Sequence, residues 1–439
     1  MKWKNNLTKK IVVRIPPSPT GNLHIGTART ALFNYLFAKQ NNGKIVFRIE
    51  DTDKSRSKKE FEENIIMNLT WLGITYDNEI IRQSERTEKY KEALLTLIEK
   101  GVAYVSTEIS KVDPELKVNV VRLKNPGKKI IFNDIIRGDI AFDTTELGDF
   151  VIAKSLTEPL YHLAVVFDDN EAGVTHVIRG EDHISNTPRQ ILIQEAFGYE
   201  RPIYAHVPLI LGKDRSKLSK RHGATALTHY KEQGFISEAI INYLALLGWN
   251  PGTEKEIFNI EELIREFDIS KIQKGGAIFD EKKLRWINKE HMKSLPKEVV
   301  ENEIKNRIEI NIQGKTIPSG LVDVIKERIE VFSDIDTMIK EGELEYFFNK
   351  PKLEKIKINW KDDSIETTKI HLAKAIEILR EDENIMEYAE SVGKGSVLWP
   401  LRYSLSGKER SPDPISLIKI LGKKESIDRI NYAINILNS

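Results

Sequence analysis

The spacing of apolar and polar positions divides the chain into a mixed first half and an almost wholly helical remainder. "KIVVRI" (10–15) is a short β-branched run, and after a loop rich in proline and glycine "ARTALFNYLFAKQ" (28–40) sets Ala31, Leu32, Tyr35, Leu36 and Ala38 at helical spacing. "NNG" stops that helix, and "KIVFRIEDTD" (44–53) predicts a second strand ending in carboxylates. The same order returns later. "VTHVIRG" predicts a strand, "TPRQILIQEAFG" a helix with Pro188 in its first turn, and "IYAHVPLIL" another strand. Two β-α-β units predict an α/β fold built on a doubly wound parallel sheet, with ligands bound beyond the carboxyl ends of the strands.

Between these halves, over about residues 81–160, short apolar runs alternate with turn signals, as in "VNVVRLKNPGKKIIFNDIIRGDIAFDTTELGDFVIAKS". This predicts a small strand-rich insertion that interrupts the sheet domain. Beyond residue 213 the pattern is helical, as in "SEAIINYLALLGW", "LVDVIKERIEVF" and "IHLAKAIEIL", with "PGTEKE" and "SLPKE" as breaks. No internal repeat or low-complexity tract interrupts it.

Composition narrows the chemistry. At 439 residues the chain is long enough for about three units. It has no cysteine, which removes disulfides, thiolate nucleophiles and cysteine-held zinc, and a reducing compartment, the cytoplasm, is expected. The start, "MKWKNNLTKK", is basic but lacks the apolar run of a secretory signal, and no membrane-length apolar stretch follows, so a soluble protein is expected. Lys plus Arg number 67 against 66 for Asp plus Glu, so any anionic partner must be met by local patches.

The candidate chemistry begins in "PPSPTGNLHIGT" (16–27). Prolines fix this loop, Gly21 and Gly26 permit close approach, and the helix start beyond it aims backbone N–H groups and a positive dipole end outward. His24 could add a donor to a phosphate. Alone it would read as a loop histidine satisfied by its neighbours. It has a counterpart, however, in "KLSKR" (217–221), a cationic loop following the last strand of the second half. Alone this would be a solvated surface run. In a doubly wound sheet the two loops face each other across the switch crevice, fixed amides opposite mobile ammonium groups, as a triphosphate requires.

"PSPTGNLHIGT" and "KLSKR" resemble the two signature motifs of class I aminoacyl-tRNA synthetases. With "FRIEDTD", "GVTHVIRGEDHISNTPRQ", "KRHGA", "INYLALLGW" and "LWPLRYSLSG", nearly the whole chain resembles the bacterial-type glutamyl-tRNA synthetases. The glutaminyl and archaeal-type relatives generally carry a P-E-P-N-G loop and a β-barrel anticodon region, whereas this chain has "PSPTG" and a helical tail. The resemblance implies a Rossmann-type catalytic domain in two parts (1–80 and 161–212), an insertion that binds the acceptor end (81–160), a stem-contact domain with the KLSKR loop (213–297) and a helical anticodon-binding domain (298–439).

It further implies ATP-dependent ligation of L-glutamate to tRNA(Glu) through a glutamyl adenylate, with Mg2+ accompanying ATP. His24, Lys217 and Lys220 match the catalytic positions, and Gly21, His24, Gly26, Thr27, Lys217, Ser219 and Lys220 the ATP site. Thr27 stands where the motif's second histidine would be. Arg14, Ser18, Glu50, Tyr161 and Arg179 match the glutamate contacts, and two carboxylates with one ammonium do call for fixed cations and a carboxylate. Asp168, Asp169, Asp182 and His183, on neighbouring segments, read as packing or supporting groups. The competing reading of Arg14 and Glu50 is a simple strand-end salt bridge.

Lys271 to Lys293 hold seven Lys or Arg against three Asp or Glu, and Lys350 to Lys361 hold five Lys against one Glu. Lys282, Lys283, Arg285 and Trp286 are the candidate tRNA contacts, cations for phosphates and a ring for an unpaired base. Trp286 and Trp360 would otherwise be core residues. Many relatives hold zinc through a Cys-x-Cys pair in a longer insertion, where this chain reads "AYVSTEISKVDPE", so no zinc is expected. A monomer without membrane attachment is expected. A charging enzyme that also accepts tRNA(Gln), and an inactive tRNA-binding paralogue, are the alternatives.

Overall fold

Val12, Val13 and Ile15 make a short buried strand, β1 (Val12–Ile15), and the chain then crosses back through helix α1 (Ile25–Gln40) to β2 (Lys44–Ile49). α1 is buried on almost every side, which is why its sequence is apolar nearly all round. After α2 (Lys59–Trp71) comes β3 (Ile81–Arg82), and the sheet runs in the order β3-β2-β1, all parallel. The computed structural model describes residues 10–109, 115–219, 226–312 and 314–439. They fall into two compact units, divided between His291 and Met292.

Helix α3 (Thr87–Glu99) leads into six strands: β4 (Ala103–Ile109), β5 (Lys117–Leu123), β6 (Lys129–Asp134), β7 (Gly138–Asp143), β8 (Phe150–Ser155) and β9 (Glu158–Pro159). The parallel pattern then resumes with α4 (Tyr161–Glu171), β10 (His176–Gly180), α5 (Thr187–Phe197) and β11 (Ile203–Val207). α5 starts with proline in its first turn and stops at Gly198, whose φ of 82° suits a residue without a side chain.

The strand-rich region is divided between two sheets. β4, β5, β8 and β9 form one antiparallel sheet, whereas the β6–β7 hairpin joins β10 and β11 in the order β10-β11-β6-β7. The reason is a shared core: Val121, Leu123 and Ile152 of the antiparallel sheet pack in one cluster with Phe132 of β6, Leu163 of α4, Val177 of β10 and Ile191 of α5. Asp134, at the end of β6, thereby lies beside β11, paired in register with Tyr204.

The two halves of the parallel sheet meet at β1 and β10. Thr175, just before β10, donates its backbone N–H to Val12 O at 2.9 Å. Farther along, side chains take the place of a ladder: Ile178 O accepts from Arg14 Nη1 and Asn34 Nδ2, each at 3.0 Å. The strands therefore part toward their carboxyl ends, which is where a doubly wound sheet holds its ligand. The stretch "IYAHVPLIL" is two strands, because Pro208 has no N–H for the ladder. β12 (Ile210–Leu211) pairs instead with β13 (Ala277–Ile278), the only segments of strand that follow among the described residues. Helices α6 (Leu227–Glu232), α7 (Ser237–Leu246), α8 (Ile260–Glu266) and α9 (Glu281–Ser294) complete this part, α8 opening on a capping box between Asn259 and Glu262.

The second unit is helical. Its helix Ile365–Glu381 starts at Ser364, whose hydroxyl accepts the Thr367 N–H, and buries Leu372, Ala375 and Ile376. "LVDVIKERIEVF" is shorter as a helix than its periodicity predicts: the helix ends at Arg328 because Asp334 captures the N–H groups of Glu330 and Val331. Trp360 packs on Trp399, their rings 5.4 Å apart, with Lys361 over its face. Among the described residues no helix is long and apolar enough to cross a membrane.

Candidate active site

A cleft of about 510 Å3 opens where β1 and β10 part. Arg14, Pro16, Ser18, Gly21, His24, Gly26 and Thr27 line one side, Glu50 and Tyr161 the interior, and Arg179, Asp182, His183, Pro208 and Lys217 the other side. Ten of the residues singled out from the sequence are thus gathered in one place. Ser219 is the last described residue before 220–225, and Lys220 lies outside the described residues.

The proline loop is pinned by its backbone. Pro17 O accepts the Glu50 N–H at 3.0 Å, and Pro19 O accepts the Lys58 N–H at 3.0 Å, which ties the loop to the end of β2 and the approach to α2. His24 is the N-cap of α1, and its Nδ1 accepts the Gly26 N–H at 3.0 Å. That bond leaves the proton on Nε2, free to donate toward an anion at the helix end. Burial, and then the charge of Lys217, hold this imidazole below its ordinary value, so it is neutral. A Cβ on Gly26 would come within 3.3 Å of His24 Nδ1, so glycine there protects the cap. His24 also bridges to Ala226, which brings the segment after the KLSKR loop against the proline loop. Lys217 Nζ pairs with Asp182 Oδ2 at 2.9 Å across the cleft wall, both side chains largely in solvent.

The interior of the cleft is built on buried charges. Arg14 and Glu50 do not pair with one another. Asp169 of α4 holds Arg14 at 3.5 Å and Arg48 at 2.8 Å, and Arg48 Nη2 in turn donates to Glu50 Oε1 at 2.9 Å. All four are buried, Arg48 completely. Asp168, the next residue, is satisfied from behind by Gln83, Arg86 and Tyr90. Burial raises the Glu50 carboxyl above its ordinary value, against the opposing pull of Arg48. Tyr161, pushed up to about 12 by burial and by Glu50, keeps its hydroxyl proton and stands 3.3 Å from His183 Nδ1.

Arg179 differs from Arg14 and Arg48, which are held by carboxylates. Its three partners are neutral: His206 Nε2 at 3.1 Å, Gln190 Oε1 at 2.7 Å and Thr187 Oγ1 at 2.8 Å. Among the described residues no carboxylate pairs with it. Burial lowers it from its ordinary value without removing its charge, so an anion entering the cleft meets an uncompensated cation.

The cleft therefore offers a helix end and a neutral imidazole at one edge, and buried guanidiniums beside a carboxylate at its centre. Residues 10–112 and 106–286 match the family described as tRNA synthetases class I (E and Q), catalytic domain, and residues 282–434 match an anticodon binding domain. A glutamate–tRNA ligase of Carboxydothermus hydrogenoformans is 39% identical, over 96% of this chain and 99% of that one. One of Fervidobacterium nodosum is 37% identical, over 99% and 98%. The chain belongs to the class I glutamate–tRNA ligases. The crystal structure of a glutamate tRNA ligase from Elizabethkingia meningosepticum, in complex with its amino acid, superposes with a TM-score of 0.85 at 32% identity over 97% of this chain and 99% of that one.

In this glutamate–tRNA ligase the residues behind the cleft lining, Arg48 on Glu50 and His206 on Arg179, were not singled out from the sequence. His206 lies in no motif, and Asp134 lies 72 residues from the histidine it binds. The arginine in "FRIEDTD" was the one available signal, an ionisable residue in the middle of an apolar strand. Lys282, Lys283, Arg285 and Trp286 are placed elsewhere, on α9 and outside the cleft lining. Lys282 is exposed, Lys283 pairs with Glu256, and Trp286 is 40% exposed, more than a core residue would be.

Proposed function

We propose that the chain joins L-glutamate to the 3′ end of tRNA(Glu) in two steps at this cleft. The α-carboxylate of glutamate attacks the α-phosphorus of ATP and pyrophosphate leaves. The terminal ribose hydroxyl of the tRNA then takes the glutamyl group and AMP leaves. In this reading the Gly21 to Thr27 loop, the α1 N-terminus and His24 Nε2–H hold the triphosphate, and Lys217, Ser219 and Lys220 close on it, neutralising charge as it builds on the leaving phosphates. Arg14, Ser18, Glu50, Tyr161 and Arg179 hold the amino acid, Glu50 facing the ammonium group and the guanidiniums the carboxylates.

Magnesium would arrive on the triphosphate. The described residues include no cluster of three or more ligating side chains, which suits an ion carried mainly by phosphate oxygens and water. On α9, Lys282, Arg285 and Trp286 would meet the tRNA, with Lys283 after release from Glu256, and the enzyme would act as a monomer. The observation that carries this reading is Arg179, buried beside Glu50 and Tyr161 with no anion of its own, in the same cleft as the histidine-capped helix. ATP–pyrophosphate exchange in the presence of tRNA(Glu) tests it: glutamate should support exchange, and exchange with glutamine but not glutamate would refute the pocket.

A further inference from the structure

Arg179 has five N–H donors, and three of them are engaged inside the protein. A carboxylate partner would hold the group firmly but would also cancel the charge that an anionic substrate seeks. The cleft instead uses a neutral acceptor. His206 Nε2 takes the Nε–H of Arg179 at 3.1 Å, with the Thr187 hydroxyl 3.2 Å from the same nitrogen. Only an imidazole protonated at Nδ1 can do this, and Asp134 supplies the reason for that tautomer: its Oδ2 lies 2.6 Å from His206 Nδ1. Both side chains are fully buried.

Asp134 is itself anchored. It accepts the backbone N–H groups of Ile136, Arg137 and His206 at 2.9–3.0 Å, so its charge is spread over the β6–β7 turn and over β11. One carboxylate on a strand of the inserted region thus fixes the histidine, and the histidine fixes the arginine. We propose that His206, oriented by Asp134, is a positioning residue for glutamate: it holds the Arg179 guanidinium in place while leaving its charge for the substrate carboxylate. This rests on the reading that Arg179 meets glutamate. Burial, which lowers His206 from its ordinary value, keeps the imidazole neutral as that role needs.

Two variants separate positioning from structure. His206→Asn keeps a donor for Asp134 but places no acceptor near Arg179, while His206→Gln sets an amide oxygen close to where Nε2 was. In ATP–pyrophosphate exchange with tRNA(Glu), His206→Asn should raise the KM for glutamate about tenfold or more and leave the KM for ATP unchanged. His206→Gln should stay within about threefold of the parent. Added to Arg179→Gln, the His206→Asn change should cost nothing further, since both act through one group. A large loss in Arg179→Gln with no change in His206→Asn, or two losses that multiply, would overturn the inference alone. An unchanged glutamate KM in Arg179→Gln would overturn the reading of Arg179 and the inference with it. Thermal melts accompany each variant. If His206→Asn is unfolded at the assay temperature, His206→Gln decides, and a tenfold loss there would overturn the proposal.

Discussion

Asp169 serves two guanidiniums, Arg14 at 3.5 Å and Arg48 at 2.8 Å, and all three are buried. Removing one charge from such a group leaves the others uncompensated, so Asp169→Asn should lower stability by about 3–5 kcal/mol in urea unfolding. A change below 1 kcal/mol would mean that water enters the cluster. Arg179 predicts selectivity instead of stability. Glutamate and glutamine have nearly equal shape, so charge must separate them, and Arg179→Gln should cost glutamate activation about 2–5 kcal/mol while glutamine suffers less. An unchanged ratio of the two kcat/KM values would leave Arg179 a structural residue. These partnerships show where sequence reading stops. Arg14 and Glu50 were legible as pocket residues through the resemblance, which matches them to the family's glutamate contacts. Their actual partners were not, because Asp169 lies 155 residues from Arg14 and only the fold joins them.

Helix α1 shows the opposite case. Its cap, His24 on Gly26, is a contact over two residues, and the glycine, the histidine and the helical spacing beyond them are all local signals. The β6–β7 hairpin was harder to place, since its apolar alternation says that it pairs but not with which sheet; the shared core decides that. The Lys217–Asp182 pair offers a prediction at this scale. With side chains 61% and 45% exposed it should add little stability, and Lys217→Ala should shift the unfolding midpoint by well under 1 kcal/mol. The same change should slow adenylate formation at least about tenfold, because the ammonium group acts on charge that develops only during transfer. Equal rates for variant and parent would remove Lys217 from the reaction.

The stability of the whole molecule should also respond to acid. Burial holds His162, His176 and His183 down to about 4, so at pH 5 they stay neutral when folded but take protons when unfolded. The unfolded state then binds more protons, and stability present above about pH 6.5 is lost as the pH falls toward 4. His176→Gln should flatten this fall in the melting temperature, and an unchanged slope would assign it to other groups. Chelation gives a second global test: activity should return fully once magnesium is restored after exhaustive zinc removal, and loss of one tightly held zinc together with activity would contradict the account. The central claim concerns the product. Purified tRNA(Glu) and tRNA(Gln) incubated separately with the protein, ATP and labelled glutamate should give glutamyl-tRNA(Glu), with AMP and pyrophosphate released. No charging of tRNA(Glu), by a protein that melts cooperatively and binds the tRNA, would contradict it and mark the chain as an inactive relative.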